Sequence, residues 1–326
     1  MLKTRLQEKA GKINLVCFGG GTGLPSLLSG LKHNPWLEVT AVVNMFDTGG
    51  SSGELRDKFG ILPPGDILKC LLALSEDDTI ARKILLKRIN HRDHPGHTGG
   101  NLLLFALEKV YENYQDSINA LAQILSVKGK VLPVTLTKAT LCGKYIDGTI
   151  YKGETSIDIG VHEGKEVNEL FLEPSAKASS QVLRAISNAD ILCIGPGSFY
   201  TSILPNFLPK GVREAIKSSK APIIFTANLL TEGMGMKGYT VKKIVSTLEK
   251  YTGRRVNAVI VNKKLPSKEI LDKYNEERKR PIIGMGNSFG TKFIRADLWM
   301  DTAIARHDSM RLANLIFGTI NRLLKN

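Results

Sequence analysis

The sequence lacks any uninterrupted apolar run of about 18 residues, the length that a membrane-spanning helix requires. Its first twelve residues are rich in basic side chains and lack the apolar segment of a secretory signal. The four cysteines lie far apart and form no Cys-x-x-Cys pair, so we expect reduced, structural thiols. These absences predict a cytoplasmic protein with no membrane span.

Aromatic residues are scarce, at 6% of the chain, although the formal net charge is +14. Proteins that bind single-stranded nucleic acid stack its bases on aromatic side chains, and none here are spaced for that purpose. The basic residues are dispersed and interleaved with acidic ones. We therefore interpret the charge as a solvated basic face that favours anionic small molecules, and we expect no nucleic-acid partner. A nucleic-acid binder would instead show an affinity that depends steeply on salt.

The most informative stretch joins a short apolar run to a cluster of glycines near the N-terminus. Residues 13–18 are mostly apolar without a helical period, which is typical of a buried parallel strand. Gly19 to Gly23 follow, and leucines at positions 24, 27, 28 and 31 then form a helical stripe. Glycine permits a sharp turn close to a phosphate, and the free amides of a helix start attract an anion. The stretch therefore predicts a phosphate-binding turn.

The glycine turn has three rival interpretations. It lacks the Gly-Lys-Ser/Thr ending of a P-loop, so no lysine reaches a β- or γ-phosphate and NTP hydrolysis is disfavoured. Leu24 occupies the place of the last glycine of a dinucleotide fingerprint, which disfavours a dinucleotide without excluding it. The third interpretation is a tight turn that binds no ligand.

Two more glycine-rich loops follow apolar runs further along the chain. The run 39–43 leads into a loop with Asp47, Ser51 and Ser52, and the run 190–194 leads into a hydroxyl-rich loop. The carboxyl ends of parallel strands share one edge of a sheet, so all three loops should border one crevice. Asp47 could meet a ribose hydroxyl or hold a hydrated Mg²⁺, while the two serines could donate to a phosphate or cap the next helix.

The remaining chain alternates short strands with helices, which predicts an α/β fold with a Rossmann-like, doubly wound parallel sheet. Between about residues 131 and 173, four short β-like pieces joined by glycines predict a small β-rich insertion, with the last piece at 156–159. We expect a basic N-terminal tail at 1–12 and a single α/β domain at 13–326.

Several polar residues precede predicted helices. Asp66 is expected to cap the helix that follows it, and Asn101 either to cap its helix or to contact a ligand. The loop before Asn101 contains His91, His94 and His97, but a proline and a glycine prevent one helical face and no cysteine assists, so zinc is disfavoured.

Near the C-terminus, Arg306 precedes a helix predicted at 310–324. A guanidinium group can hold a diphosphate bidentately, which makes Arg306 a candidate ligand contact. Asp308 or Ser309 is expected to cap this helix.

Six blocks occur in a fixed order and together cover nearly the whole chain: Gly19–Gly23, Asp47–Gly53, Leu62–Asp66, Gly99–Leu103, Gly195–Ser202 and Arg306–Asp308. This ordered set resembles the gluconeogenesis factor (YvcK) family, which is related to the CofD 2-phospho-L-lactate transferases. The resemblance implies a Rossmann-like fold, a homodimer, and a cytoplasmic protein that binds a UDP-sugar, typically UDP-N-acetylglucosamine. It also implies a regulatory protein that links carbon metabolism to cell-wall synthesis and cell shape through an unknown cell-wall enzyme partner.

The loops and the resemblance together define the expected site. By the resemblance, Arg306 belongs to the nucleotide-sugar site, and Ser309 stands where family members carry a phosphorylatable threonine, whose phosphate would add negative charge near Arg306. No catalytic residue is predicted. The expected nucleotide-binding residues are Gly20, Gly21, Thr22, Gly23, Asp47, Ser51, Ser52, Asn101, Gly195, Gly197, Ser198, Thr201, Asn228 and Arg306.

The transferase branch implies a different chemistry, in which a phospholactyl group moves from a guanosine diphosphate carrier to a deazaflavin alcohol with Mg²⁺, for which Asp47 is the candidate ligand. Two departures from the family pattern bear on this. Asp47-Thr48 stands where two aspartates are usual, and residues 228–236 depart from the usual Asn-x-x-Thr-Gln-Pro-Gly-Glu-Thr. Losing a carboxylate weakens the case for a tightly held metal. We therefore favour a regulator over a transferase, and we expect an altered ligand loop.

Overall fold

A computed structural model describes residues 11–76, 79–89, 96–111, 113–282, 291–300 and 304–325. The strands within these ranges are β1 (Ile13–Gly19), β2 (Leu37–Val43), β3 (Lys130–Pro133), β4 (Thr140–Tyr145), β5 (Ile150–Lys152), β6 (Val167–Glu173), β7 (Ile191–Ile194), β8 (Ile223–Thr226), β9 (Ala258–Asn262) and β10 (Lys292–Ala296). The basic tail predicted at 1–12 lies almost wholly outside the described residues. The predicted domain division stays a prediction.

The α-helices of the described ranges alternate with most of these strands. They are α1 (Gly23–Leu31), α2 (Gly50–Phe59), α3 (Gly65–Leu74), α4 (Thr79–Leu85), α5 (Gly99–Tyr111), α6 (Tyr114–Ile124), α7 (Glu154–Glu163), α8 (Ser180–Ser187), α9 (Val212–Ser218), α10 (Val241–Thr252), α11 (Lys268–Glu276) and α12 (Ser309–Leu323). A π-helical turn, Phe199–Ile203, follows β7.

Seven strands form one parallel sheet in the order β10-β9-β8-β7-β1-β2-β3. From β1 the chain winds outward through β2 to β3, and it later returns to the other side of β1 to build β7 to β10. The winding direction therefore reverses between β1 and β7. In α/β proteins the carboxyl ends of the strands at such a switch point border the ligand crevice. The predicted doubly wound α/β fold is confirmed.

The core packs around β1 and α1, as their apolar patterns predict. Leu15, Cys17 and Phe18 are fully buried, and the leucine stripe of α1 is fully buried against the sheet and α12. Where α1 crosses α12, a Cβ on Gly30 would overlap the backbone of Ser309. This close approach fixes the start of α12 beside the last turn of α1.

A smaller antiparallel sheet, in the order β5-β4-β6, occupies most of the segment predicted to be β-rich. Two of the predicted pieces differ from the structure. The piece at 131–135 belongs to the main sheet as β3, which pairs with β2. The strand predicted at 156–159 is wrong, because these residues belong to α7, where Ile157 and Val161 lie four residues apart on one buried helical face.

The edge strand β10 is not among the strands predicted from the sequence. It pairs with β9 over five residues, yet Ile294 is its only buried side chain. A strand with one covered position has neither a continuous apolar run nor a full alternation, so its sequence carries little strand signal.

Candidate functional site

A carboxylate ties the glycine turn after β1 to the start of α3. Gly21 adopts a φ of 60°, and its amide donates to Oδ2 of Asp66 at 2.6 Å. Asp66 is buried and also accepts from the Lys69 ammonium at 2.9 Å. The expectation that Asp66 caps its helix is wrong, since α3 begins at Gly65 without a side-chain cap. One amide of the predicted phosphate turn is therefore already engaged by a carboxylate.

The other end of the turn meets the loop after β7. Helix α1 begins at Gly23, so its first-turn amides have no partner within the helix. A Cβ on Gly23 would overlap the carbonyl group of Pro196. Only a glycine fits this contact, which brings the β1 and β7 loops together at the switch point.

An asparagine from the loop after β8 fixes the β7 loop. The Gly197 amide donates to Oδ1 of Asn228 at 3.0 Å, and Nδ2 of Asn228 donates to the Gly197 carbonyl at 2.7 Å. The same Nδ2 donates to Glu232 at 3.1 Å. Asn228 thus uses its amide group to hold the protein's own backbone at the crevice.

Glu232 is not among the residues predicted from the sequence, although it lies where the loops converge. Its carboxylate accepts from the Ser198 hydroxyl at 3.2 Å, from Nδ2 of Asn228, and from the Phe199 amide. Burial raises the pKa of Glu232 to about 7, although the hydrogen bond from Phe199 lowers it. The sequence signal was the departure at 228–236, where Glu232 stands at the position of the usual glutamine.

Thr201 connects the loop after β7 to helix α7. Its Oγ1 lies 2.6 Å from the Ser198 hydroxyl and donates to Oδ1 of Asp158 on α7 at 2.9 Å. Thr201 is fully buried and lines neither of the two clefts described below. Burial raises the pKa of Asp158. Thr201 therefore links Ser198 to α7.

Two clefts open at this edge of the sheet and share Ser198, Glu232 and Lys279 in their walls. The smaller, which we name the Arg306 cleft, has a volume of about 390 Å³ and lies among the loops after β1, β7 and β8 and residues 304–307. The larger, named the Asp47 cleft, has a volume of about 790 Å³ and lies among the loop after β2, α3, α5 and α7. Because they share these three residues, the two clefts adjoin.

The Arg306 cleft combines a cationic side chain with an apolar wall. Arg306 is exposed and lines the cleft, as do Leu229, Leu230 and Tyr274, which belong to a small apolar cluster separate from the main core. His307 also lines it and is only 6% exposed. Burial lowers the pKa of His307 to about 4, so its ring is neutral at physiological pH.

The Asp47 cleft is lined by carboxylates from both sides. Asp47 accepts from the Gly49 amide at 2.7 Å and shares a hydrogen bond with Glu154 at the start of α7. Burial raises the pKa of Asp47, and burial together with the charge of Asp47 raises the pKa of Glu154 to about 9. Glu154 is therefore protonated at neutral pH and donates to Asp47.

Ser51 and Ser52 do not cap α2, which begins earlier than predicted. The N-cap residue is Gly49, and no side chain accepts from the first-turn amides. Ser52 instead accepts from the Gly65 amide at 3.1 Å, which ties α2 to α3. Both serines line the Asp47 cleft.

A polar group around Ser51 forms one side of the same cleft. The Ser51 hydroxyl lies 3.0 Å from Nδ1 of His97 and accepts from Nδ2 of Asn101, also at 3.0 Å. Asn101 lies inside α5, which begins at Gly99, so it does not cap that helix. Its Oδ1 is buried and has no hydrogen-bond partner among the described residues. Asn101 therefore lines the cleft, but this buried oxygen offers no accessible surface to a ligand there.

Ser309 lies behind the Arg306 cleft. Its hydroxyl is 3.1 Å from that of Ser26, which lines the cleft, whereas Ser309 does not. Asp308 caps α12 by accepting from the amides of Met310 and Arg311, which confirms the capping expectation for Asp308.

The structure divides the predicted site residues into three groups. Six line the Arg306 cleft: Thr22, Gly23, Gly197, Ser198, Asn228 and Arg306. Gly21, Asp47, Ser51, Ser52 and Asn101 line the Asp47 cleft, together with the shared Ser198. Gly20, Gly195, Thr201 and Ser309 line neither cleft.

Within the described residues, no group of three His, Cys, Asp or Glu side chains is arranged to hold a metal ion. His91 and His94 lie outside the described residues. Protein-bound Mg²⁺ usually takes one or two carboxylates and completes its shell with waters and substrate phosphates. Asp47 and Glu154 supply that number once a metal displaces the proton that they share, so they fit a Mg²⁺ held jointly with a bound phosphate.

The fold and clefts define a doubly wound α/β protein with a ligand crevice at the switch point between β1 and β7. Residues 15–298 match the model of the CofD family, described as 2-phospho-L-lactate transferase CofD. The chain therefore belongs to this family, and the resemblance inferred from the sequence is confirmed. None of the described helices is long and apolar enough to cross a membrane.

The relatives named gluconeogenesis factor include proteins from two bacteria. The protein of Listeria monocytogenes is 37% identical over 317 residues, which cover 96% of this chain and 97% of that protein. The protein of Halalkalibacterium halodurans is 39% identical over 275 residues, which cover 83% and 84%. A crystal structure of a UPF0052 family member from Bacillus halodurans matches with a TM-score of 0.89 at 36% identity and covers 94% of this chain and 99% of that chain.

Proposed function

We propose that this protein binds a nucleotide sugar of the UDP-N-acetylglucosamine type and acts as a regulator that links carbon metabolism to cell-wall synthesis and cell shape. The observation that carries the proposal is the pair of adjoining clefts of opposite character at the switch point. One cleft offers a cation and an apolar wall, and the other offers hydrogen-bond acceptors. A nucleoside diphosphate sugar is divided in a matching way, since its charged diphosphate and flat base lie at one end and its neutral, hydroxyl-rich sugar lies at the other.

The diphosphate fits the Arg306 cleft for electrostatic reasons. Arg306 supplies a fixed positive charge, and the first-turn amides of α1 at Thr22 and Gly23 lie in the same wall. The apolar residues Leu229 and Leu230 offer a surface for the base. In the Asp47 cleft, by contrast, the Lys69 charge is already paired with Asp66, and Arg88 donates to the Gly96 carbonyl.

The sugar fits the Asp47 cleft. Its hydroxyl groups are hydrogen-bond donors, and Asp47 and Asp158 are acceptors in its wall. The carboxylates there would repel a second phosphate, whereas they would not repel a neutral sugar. The shared residues Ser198, Glu232 and Lys279 then lie near the junction of diphosphate and sugar.

We expect the substitution Arg306→Ala to weaken binding of UDP-N-acetylglucosamine at least tenfold, or about 1.5 kcal/mol, the low end for a hydrogen bond to a charged group. Titration calorimetry at one ionic strength measures the effect. Arg322→Ala is the matched control, because it removes the same charge from an exposed position in the last turn of α12. Wild-type protein that binds no UDP-sugar would refute the proposed function.

A second candidate function is CofD-like phospholactyl transfer, which the paired carboxylates Asp47 and Glu154 favour. A Mg²⁺ held by this pair and a substrate phosphate would stabilise the diphosphate leaving group. If the protein is a transferase, purified protein will turn over a guanosine diphosphate-linked phospholactate with Mg²⁺, and Asp47→Asn will abolish turnover. Ligand binding without turnover would leave the regulator as the function.

A further inference from the structure

Lys279 lies just after α11, in the wall that the two clefts share. Among the described residues it is the only cationic side chain that lines both clefts. The other two shared residues are Ser198, which is neutral, and Glu232, which is an acid. The positive charge at the junction of the two clefts therefore comes from Lys279.

The main chain on both sides of Lys279 is held in place. The Lys279 amide donates to the Tyr274 carbonyl at 2.8 Å, as in the Schellman motif that ends many helices. The next amide, of Arg280, donates to Oγ1 of Thr231 at 2.9 Å, and the Thr231 amide donates to the Arg280 carbonyl at 2.8 Å. Thr231 belongs to the loop after β8 and lines the Arg306 cleft. The base of the Lys279 side chain is therefore fixed against the wall of that cleft.

The ammonium group of Lys279 is accessible and lies beside the Arg306 cleft. Its Nζ is 5.9 Å from the ring centroid of Tyr274, which is part of the cleft wall. It also lies 2.8 Å from Oε2 of Glu277, which lines neither cleft. The side chains of Lys279 and Glu277 are 36% and 41% exposed, and ion pairs this exposed contribute little because water screens them. A ligand phosphate can therefore take the ammonium from Glu277 at a small cost.

We propose that Lys279 binds the phosphate that is joined to the sugar in the bound nucleotide sugar, and that it exchanges its ion pair with Glu277 for this phosphate on binding. The inference rests on the proposed function and deepens it, because it assigns the two phosphates to different cations. Arg306 lines the Arg306 cleft alone and holds the phosphate next to the nucleoside, whereas Lys279 lies at the junction that leads to the sugar. The site therefore selects a nucleoside diphosphate over a monophosphate.

The charges around the junction explain why a phosphate there needs Lys279. Glu232 lines the same wall, and Asp158 lines the adjoining Asp47 cleft. Each of these carboxylates repels an anion when it is ionised. Burial raises the pKa of Asp158, and the positive charge of Lys279 lowers it. A lysine ammonium is a compact charge on a flexible stem, which suits it to offset this repulsion while it binds phosphate oxygens.

The substitution Lys279→Met tests this assignment, because methionine retains most of the stem and removes the charge. We expect the dissociation constants of UDP-N-acetylglucosamine and UDP to rise about tenfold, and that of UMP, which lacks the second phosphate, to change by less than about twofold. Lys279→Arg restores a cation and should bind UDP to within about threefold of wild type. Titration calorimetry at one ionic strength measures these affinities, and thermal unfolding shows whether each variant is folded. Lys273→Met is the matched control, since Lys273 is exposed on α11 and lines neither cleft.

The substitution Glu277→Gln tests the exchange of partners. It removes the charge that holds the ammonium in the free protein, so we expect UDP to bind about twofold more tightly than to wild type. An unchanged affinity in Glu277→Gln would overturn the exchange. A Lys279→Met protein that binds UDP as tightly as wild type would overturn the assignment of the phosphate, as would an equal loss of affinity for UMP and UDP. If wild-type protein binds no uridine nucleotide, the proposed function fails first.

Discussion

The substitution Gly23→Ala should lower the free energy of unfolding by about 3 kcal/mol, the upper part of the range for overpacking a rigid site. The new methyl group would overlap the carbonyl group of Pro196, and backbone atoms cannot rotate away as a side chain can. The overlap can be relieved only if the loops after β1 and β7 separate, and these two loops border the crevice at the switch point. We therefore expect ligand binding to fall as well. Chemical denaturation and calorimetry measure the two effects.

Gly318→Ala in α12 is the matched control for this prediction. A Cβ at Gly318 has no atom within 4 Å, and alanine favours a helix interior by about 1 kcal/mol over glycine. The control should therefore be at least as stable as wild type. A Gly23→Ala protein of unchanged stability would show that the two loops have room to part, and the proposed geometry of the crevice would be wrong.

The affinity for the nucleotide sugar should fall about thirtyfold between pH 6 and pH 8.5, a difference of about 2 kcal/mol. Glu232 lies in both cleft walls, and because burial raises its pKa to about 7, its carboxyl group is neutral at pH 6 and charged at pH 8.5. A charged carboxylate repels the diphosphate, whereas the neutral acid can donate to it. Asp158 reinforces the effect, and Lys279, which also lines both clefts, opposes it.

Glu232→Gln should bind with an affinity that is nearly constant over this range, because the amide does not ionise. Its dissociation constant should match that of wild type at pH 6 and be lower than that of wild type at pH 8.5. Glu163→Gln is the control, since Glu163 is exposed and lines only the Asp47 cleft. Calorimetry at four pH values would contradict the prediction if Glu232→Gln kept the wild-type slope.

The strand, turn and helix at the N-terminus could be predicted because their signals are local. An apolar run identifies β1, and leucines at helical spacing identify α1. The meeting of three glycine loops follows from the geometry of parallel sheets, which places all strand ends at one edge. These features required no knowledge of which side chains touch.

The role of Asp66 could not be predicted, because it depends on a contact with a distant part of the chain. The sequence does not distinguish a carboxylate that accepts from the amides of its own helix from one that accepts from a distant loop. Here it accepts from Gly21, which is 45 residues away along the chain. The division of the crevice into two clefts was equally hidden, because it depends on α7, whose short apolar segment fits a strand or a helix until its burial is known.

The two halves of the crevice have different origins in the chain. After β3 the chain leaves the main sheet, builds the small antiparallel sheet with α7, and returns at β7. One wall of the Asp47 cleft therefore consists of the loop after β2 and helices between β2 and β3, whereas Glu154 and Asp158 belong to a single excursion. Glu154 has no part in the contact between Gly23 and Pro196, so we expect substitution of Glu154 to leave that contact unchanged. Under the proposed function, selectivity for the sugar and grip on the diphosphate would be encoded in separable segments, and one could diverge while the other is retained.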